Sequence, residues 1–73
     1  MAEVNKKYFV RVIESKELKY LCVDYFYDEN HVQHFLLADK YGKITAIPWR
    51  DFVKYYEYDE EETEKYWREQ NVN

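Results

Sequence analysis

Cysteine, glycine and proline occur once each in this 73-residue sequence. A single cysteine excludes an intramolecular disulfide and a cysteine-rich zinc site. A single glycine excludes the glycine-rich loops that cradle phosphates and leaves Gly42 as the residue freest to take a positive φ. A positively charged start followed by an apolar stretch is absent, and the longest apolar runs fall far short of the roughly 18–20 residues a membrane span needs. These absences predict a cytoplasmic protein in a reducing compartment, without membrane association. Positive charge is scarce at one end. Residues 1–50 hold eight Lys/Arg against seven Asp/Glu, whereas residues 51–73 hold three against eight. A general nucleic-acid binder needs local positive potential, so this distribution counts against DNA binding and favours a basic partner.

What is abundant is aromatic surface. Nine Tyr, four Phe and two Trp make up 21% of the chain, which argues for a folded domain rather than disorder. Large half-polar rings fill a core too small for many leucines, and they also suit contact surfaces. A chain this short buries only about 60% of its unfolded surface, so residues 1–73 form one domain with a thin margin of stability.

Alternation of Val, Phe and Tyr over Lys7–Ile13 predicts a first strand. Leu18–Tyr27, Val32–Asp39 and Ile44–Trp49 read as three more in an antiparallel meander, joined by turns at Asp28–His31 and Lys40–Lys43. A Glu29-Asn30 tip places Tyr27 opposite Val32 and Leu21 opposite Ala38. A Tyr41-Gly42 tip places Asp39 opposite Ile44 and His34 opposite Trp49. Matching Val12 to Leu21 and Tyr8 to Tyr25 then gives two faces. The expected core face carries Val10, Leu21, Val23, Leu36, Ala38 and Ile47. The other carries Phe9, Arg11, Cys22, Asp24, Phe26, Phe35 and Leu37, with Arg11 and Asp24 paired diagonally. This second face is too apolar to be left to water, and the C-terminal helix, a second copy or a partner is expected to cover it.

Pro48 ends the regular ladder. A helical turn at Trp49–Phe52 and a strand at Val53–Tyr58 fit the competing periods that follow, with one continuous helix as the rival. Asp59–Gln70 predicts an acidic helix: Asp59 caps, Glu62 completes a capping box, and Glu60–Glu62 favour the positive end of the helix dipole.

The run Gly42–Lys54 resembles the end of an SH3 domain. That family places a Gly-containing hairpin, an apolar residue with Pro, a 3₁₀ turn, and an aromatic with Val entering the last strand. Ile47-Pro48, Phe52 and Val53 match this arrangement. The resemblance covers thirteen residues and implies a small SH3-like barrel, with Pro48, Phe52 and Trp49 near a groove. The family's N-terminal aromatic signature, acidic specificity loop and paired tryptophans are missing. The fold class expected is therefore mostly β: a small antiparallel meander or SH3-like barrel of four to five strands with a C-terminal α-helix.

Chemistry-bearing residues are few. His31, His34 and Cys22 are the potential soft-metal group, but Cys22 and His34 are expected on opposite faces and a fourth ligand is lacking. Cys22 reads as a small buried hydrophobe rather than a nucleophile. Glu57, Asp59, Glu60, Glu61, Glu62 and Glu64 form a dense acidic run without the turn glycine of a calcium loop. Helix capping explains it, with mimicry of nucleic-acid phosphates as a functional version. Tyr8, Tyr20 and Tyr41 beside Lys7, Lys19, Lys40 and Lys43 give the alternative of a barrel binding single-stranded nucleic acid. The function expected is a non-enzymatic protein-binding domain, a small regulator or inhibitor of a larger basic or nucleic-acid-binding protein, without cofactor or metal. Another protein or a second copy of the chain is the expected partner. The contact residues expected are Tyr55, Tyr56, Tyr58, Glu61, Glu64, Trp67, Phe26 and Phe35.

Overall fold

The computed structural model describes residues 7–70. Four strands follow one another as a meander, β1 (Tyr8–Val12), β2 (Lys19–Tyr27), β3 (Gln33–Ala38) and β4 (Ile44–Pro48). A seven-residue helix α1 (Trp49–Tyr55), a short strand β5 (Tyr56–Tyr58) and a helix α2 (Glu60–Gln70) complete the chain. β5 returns beside β1, so the antiparallel sheet has the order β4-β3-β2-β1-β5. It stays open and does not close into a barrel.

The two long hairpins use the same turn. Asp28 and Asp39 each close a three-residue loop, with Asp28 N donating to Val32 O and Asp39 N to Lys43 O, both at 3.0 Å. Each aspartate also accepts two loop amides on its Oδ1: Asn30 and Val32 for Asp28, Tyr41 and Lys43 for Asp39. This is the side-chain chemistry that favours Asp at such turns. The residue before the closing position then turns left-handed, His31 at φ 65° and Gly42 at φ 86°. Glycine takes that conformation freely, while a side chain is strained by it. His31→Gly should therefore raise stability by about 0.5–1 kcal/mol and Tm by about 3–6 °C, read by thermal unfolding. An unchanged or lower Tm would show that the loop relieves the strain in another way.

Three-residue loops shift the register from that expected. β3 and β4 pair Ala38 with Ile44 and Phe35 with Ile47, one residue from the predicted match. β2 and β3 keep the predicted Leu21–Ala38 pair but reach Tyr27–Gln33 at the turn. An irregularity between Cys22 and Asp24 absorbs the difference. β1 and β2 pair Tyr8 with Cys22 and Val10 with Tyr20, three residues away from the expected match. An odd shift exchanges the faces of a strand. The core consequently lies on the side of Val10, Cys22 and Leu37, which are 1%, 4% and 2% exposed. Tyr8, Tyr20, Phe35, Ile47, Phe52 and Tyr56 pack around them.

α1 supplies the cover for that side. Pro48 is its N-cap, with no side-chain cap bond, and the Tyr56 amide closes it on Phe52 O. The helix turns Phe52 inward, where its ring stacks on Phe35 at 4.0 Å and faces Tyr56 at 6.0 Å. Both periods predicted after Pro48 are present, but the helix runs on to Tyr55 and the strand is only three residues long. Val53 thus lies on the helix, 51% exposed, instead of entering the last strand as the SH3 resemblance implied.

α2 starts at the predicted Asp59 cap, but the capping box is not completed, because the Glu62 carboxylate faces Lys19 and the Asp59 amide is taken by β1. Glu62 N donates to Asp59 Oδ1 at 3.0 Å, and Thr63 N donates to Asp59 O at 3.1 Å. The same two residues take over β1 where β5 stops. Asp59 N donates to Phe9 O, and Phe9 N donates to Thr63 Oγ1 at 2.7 Å. Tyr66 packs edge-on against Phe9, and Trp67 Nε1 donates to Lys7 O. The helix therefore clamps one edge of the sheet.

Candidate functional site

The strand pairs define a second face, and among the described residues it has no layer over β2, β3 and β4. Phe26 pairs with His34, Leu21 with Ala38, Leu36 with Ala46 and Ala38 with Ile44. Alternation puts all of these opposite Val10 and Leu37. Phe26 is 42% exposed and Ile44 54%, while Leu21, Leu36, Ala38 and His34 are half-buried. Among the described residues, every hydrophobic side chain buried to core level lies on the other face. Beside the patch, Phe9, Leu18, Leu21, Ala38, Tyr41 and Glu62 line an open depression of about 720 Å³. This apolar surface is the candidate site.

His34 anchors one corner. Its ring stacks on Phe26 with centroids 4.9 Å apart, and its Nε2 lies 2.9 Å from Asp28 Oδ2. The His34 contact, then the Val32 and Asn30 amides, hold the Asp28 carboxyl below its ordinary value. The turn, the histidine and the exposed phenylalanine form one connected unit.

The opposite border is a charge cluster. Arg11 Nε donates to Glu57 Oε2 at 2.6 Å, Lys16 Nζ reaches the same oxygen at 2.8 Å, and Arg11 Nη1 lies 3.7 Å from Asp59 Oδ1. Lys19 Nζ stands 3.3 Å from Asp59 Oδ2 and 3.4 Å from Glu62 Oε1. Asp59 is 0% exposed, and its Oδ2 accepts no hydrogen bond of good geometry, so Lys19 serves it as a counter-charge. Burial pushes the Asp59 carboxyl up, but the Glu62 amide, Lys19 and Arg11 together outweigh it and hold the group below its ordinary value. Lys16 and Arg11 do the same for Glu57. Arg11 is committed here, so the expected Arg11–Asp24 pair does not form; Asp24 Oδ1 instead accepts the Tyr25 amide.

The expected contact residues do not form one surface, although Tyr58 and Trp67 line one open depression and Phe35 and Tyr56 both pack on Phe52. Phe26 stands on the open face, whereas Phe35 turns the other way and stacks on Phe52. Tyr55 and Tyr58 are exposed at the end of α1 and on β5, at 46% and 55%, while Tyr56 is half-buried against Tyr20 and Phe52. Glu61 and Glu64 are exposed on α2, and Trp67 packs against Tyr66. The residues missing from that expectation are Leu21, Leu36, Ala38 and Ile44. The two-residue tips hid them, because they placed the first three in the core.

Cys22 is buried on the covered side, away from His34; burial pushes its thiol up. Among the described residues there is no group of three or more His, Cys, Asp or Glu placed to hold a metal ion. No helix among them is long and apolar enough to cross a membrane. Comparison of the chain with protein-family models, with curated proteins and with solved structures finds no match.

Proposed function

We propose that this chain is a non-enzymatic protein-binding domain, a small regulator or inhibitor, that docks a larger protein on the uncovered face of its sheet. The supporting observation is the one-sided core: α1 layers one face, while Phe26, Ile44 and the half-buried leucines of the other meet water. Burying such a patch is the main source of favourable free energy open to this surface. The acidic helix adds less than its composition suggests. Glu57, Asp59 and Glu62 are neutralised within the molecule by Arg11, Lys16 and Lys19, which leaves Glu60, Glu61 and Glu64 of the run facing outward. Mimicry of nucleic-acid phosphates therefore has half the charge that the sequence offers it. Binding of single-stranded nucleic acid loses ground for a related reason, since Lys19 is paired and Tyr20 is half-buried in the core packing.

The test is capture of partners from the native host on immobilised protein, compared with a Phe26→Asp, Ile44→Asp double variant. Both positions are exposed, so the variant should keep its fold, checked by circular dichroism. A partner retained at near-equal stoichiometry by the parent and lost by the variant is the expected result. Retention of the same protein by both, or of none by either, would overturn docking on this face.

A further inference from the structure

The two edges of the sheet are built differently. β5 is three residues long, and Asp59 and Thr63 take over the β1 backbone beyond it. β4 has five residues, Ile-Thr-Ala-Ile-Pro, with no charge and an unbroken register to β3. Ile44, Thr45 and Ala46 are all exposed. Bonding along an antiparallel pair alternates. Starting from Asp39 N to Lys43 O, that alternation turns Thr45 and Ile47 towards β3. It leaves the amide and carbonyl of Ile44 and of Ala46 facing away from the sheet. Natural edge strands normally carry charge, a bulge or a cover to prevent pairing there. β4 has only Pro48 at its end.

Its surroundings are basic. Lys43 precedes the strand, Arg50 follows it by two residues, Lys40 lies in the turn and Lys54 on α1, all exposed. Among the described residues none of these four makes an ion pair, in contrast to Arg11, Lys16 and Lys19. Of the nearby acids, Asp39 is engaged by the turn amides, and Asp51 remains.

We propose that the β4 edge takes an extended, acidic segment of the partner protein as a sixth strand. The segment pairs its backbone with Ile44 and Ala46, sets acidic residues against Lys43 and Arg50, and lays alternate apolar side chains beside the uncovered face. This rests on the protein-binding reading and adds the mode and the charge of the partner. A second copy fits poorly: two β4 strands paired about Ala46 bring Lys43 of one copy opposite Trp49 of the other, one residue from its Arg50, so that like charges gather at both ends of the pair. Nucleic acid fits poorly too, because a phosphate backbone has no donors to match the outward carbonyls that alternate with the amides of the edge.

The probe is the peptide acetyl-Asp-Asp-Val-Thr-Val-Thr-Asp-Asp-amide, titrated into isotope-labelled protein at low salt and followed by amide shifts. A version with Lys for every Asp, and an oligothymidylate, serve as rivals. Shifts centred on Ile44–Pro48 are expected, with binding at least about tenfold weaker for the Lys version and for a Lys43→Glu, Arg50→Glu variant. Ala46→Pro should abolish binding and keep the fold, since the amide it removes faces outward. If that variant unfolds, the charge-reversed pair decides. The inference is overturned if the acidic peptide gives no shifts up to about millimolar, if the oligothymidylate takes its place, or if both peptides bind alike. Binding unchanged by Ala46→Pro, or a parent dimer that this variant dissolves, also overturns it. In the host capture, Ala46→Pro retaining the partner that Phe26→Asp, Ile44→Asp loses removes edge pairing and leaves docking on the face intact.

Discussion

Leu37→Ala should destabilise the protein by about 3 kcal/mol, whereas Leu36→Ala should cost no more than about 1 kcal/mol. Leu37 sits at the centre of the sheet, 2% exposed, among the few side chains buried to core level. Removing it deletes apolar contact and leaves a cavity that a small sheet lacks the neighbours to fill. Leu36 is the adjacent residue, of the same type in the same strand, yet it faces the open side and is half-buried. A domain of this size is stable by about 4–11 kcal/mol in all, so the first variant should be close to unfolding at moderate temperature. Urea titration with matched slopes reads both values. Equal costs at the two positions would mean that both faces are packed in solution, and the surface proposed for docking would then be covered. A larger cost at Leu36 would restore the register expected from two-residue tips.

That contrast shows what could be read from the residues and what could not. Strand composition identifies β1 to β4, and the Asp59–Glu62 pattern identifies the start of α2, because β-branched and aromatic alternation and helix capping are local signals. The acidic helix at Asp59–Gln70 begins with the Glu62 amide on Asp59 Oδ1, as its sequence predicts. Which side of the sheet is the core depends on one residue of loop length. Asp28 and Asp39 each stand three positions before the left-handed residue, His31 and Gly42. The repeated spacing was visible in the sequence, but Gly42 beside Tyr41 suggested the shorter tip. Because side chains alternate strictly along a strand, that slip exchanged Leu36 and Ala38 for Phe35 and Leu37. The β1–β2 register had no such guide: Ser15–Glu17 holds no turn residue of fixed geometry. The connection closes instead through its own backbone, with Ser15 N on Val12 O, Leu18 N on Ser15 O and Val12 N on Leu18 O, bonds that no side chain in the segment announces. The basic surroundings of β4 were legible as composition, but not as an edge, because strand order is a property of the assembled sheet.

Asp59→Ala should cost about 2–3 kcal/mol, and Asp59→Asn about half as much at neutral pH. The carboxylate caps α2 through the Glu62 amide and stands between Arg11 and Lys19, completely out of solvent. Alanine removes both roles. The effect stays below that of breaking an isolated buried pair, because Arg11 retains Glu57 and Lys19 retains Glu62. Asparagine keeps an oxygen for the Glu62 amide and gives up the charge, so it separates capping from pairing. The pH dependence distinguishes this from simple loss of packing. Asp59, Glu57 and Asp28 are all held below their ordinary values in the folded protein. A depressed carboxylate contributes stability above its unfolded value, near 4, and that contribution is lost as pH falls through the folded value. The parent should therefore weaken steadily on acidification below about pH 4. The gap between parent and Asp59→Asn should be widest at neutral pH and narrow as acid protonates the parent's Asp59. Urea midpoints measured from pH 7 down to pH 3 read the gap directly. A constant difference across that range would mean that Asp59 acts through shape and hydrogen bonding alone. The clamp of α2 on β1 would then owe little to Arg11 and Lys19, and the charged border of the open face would be free to meet a partner.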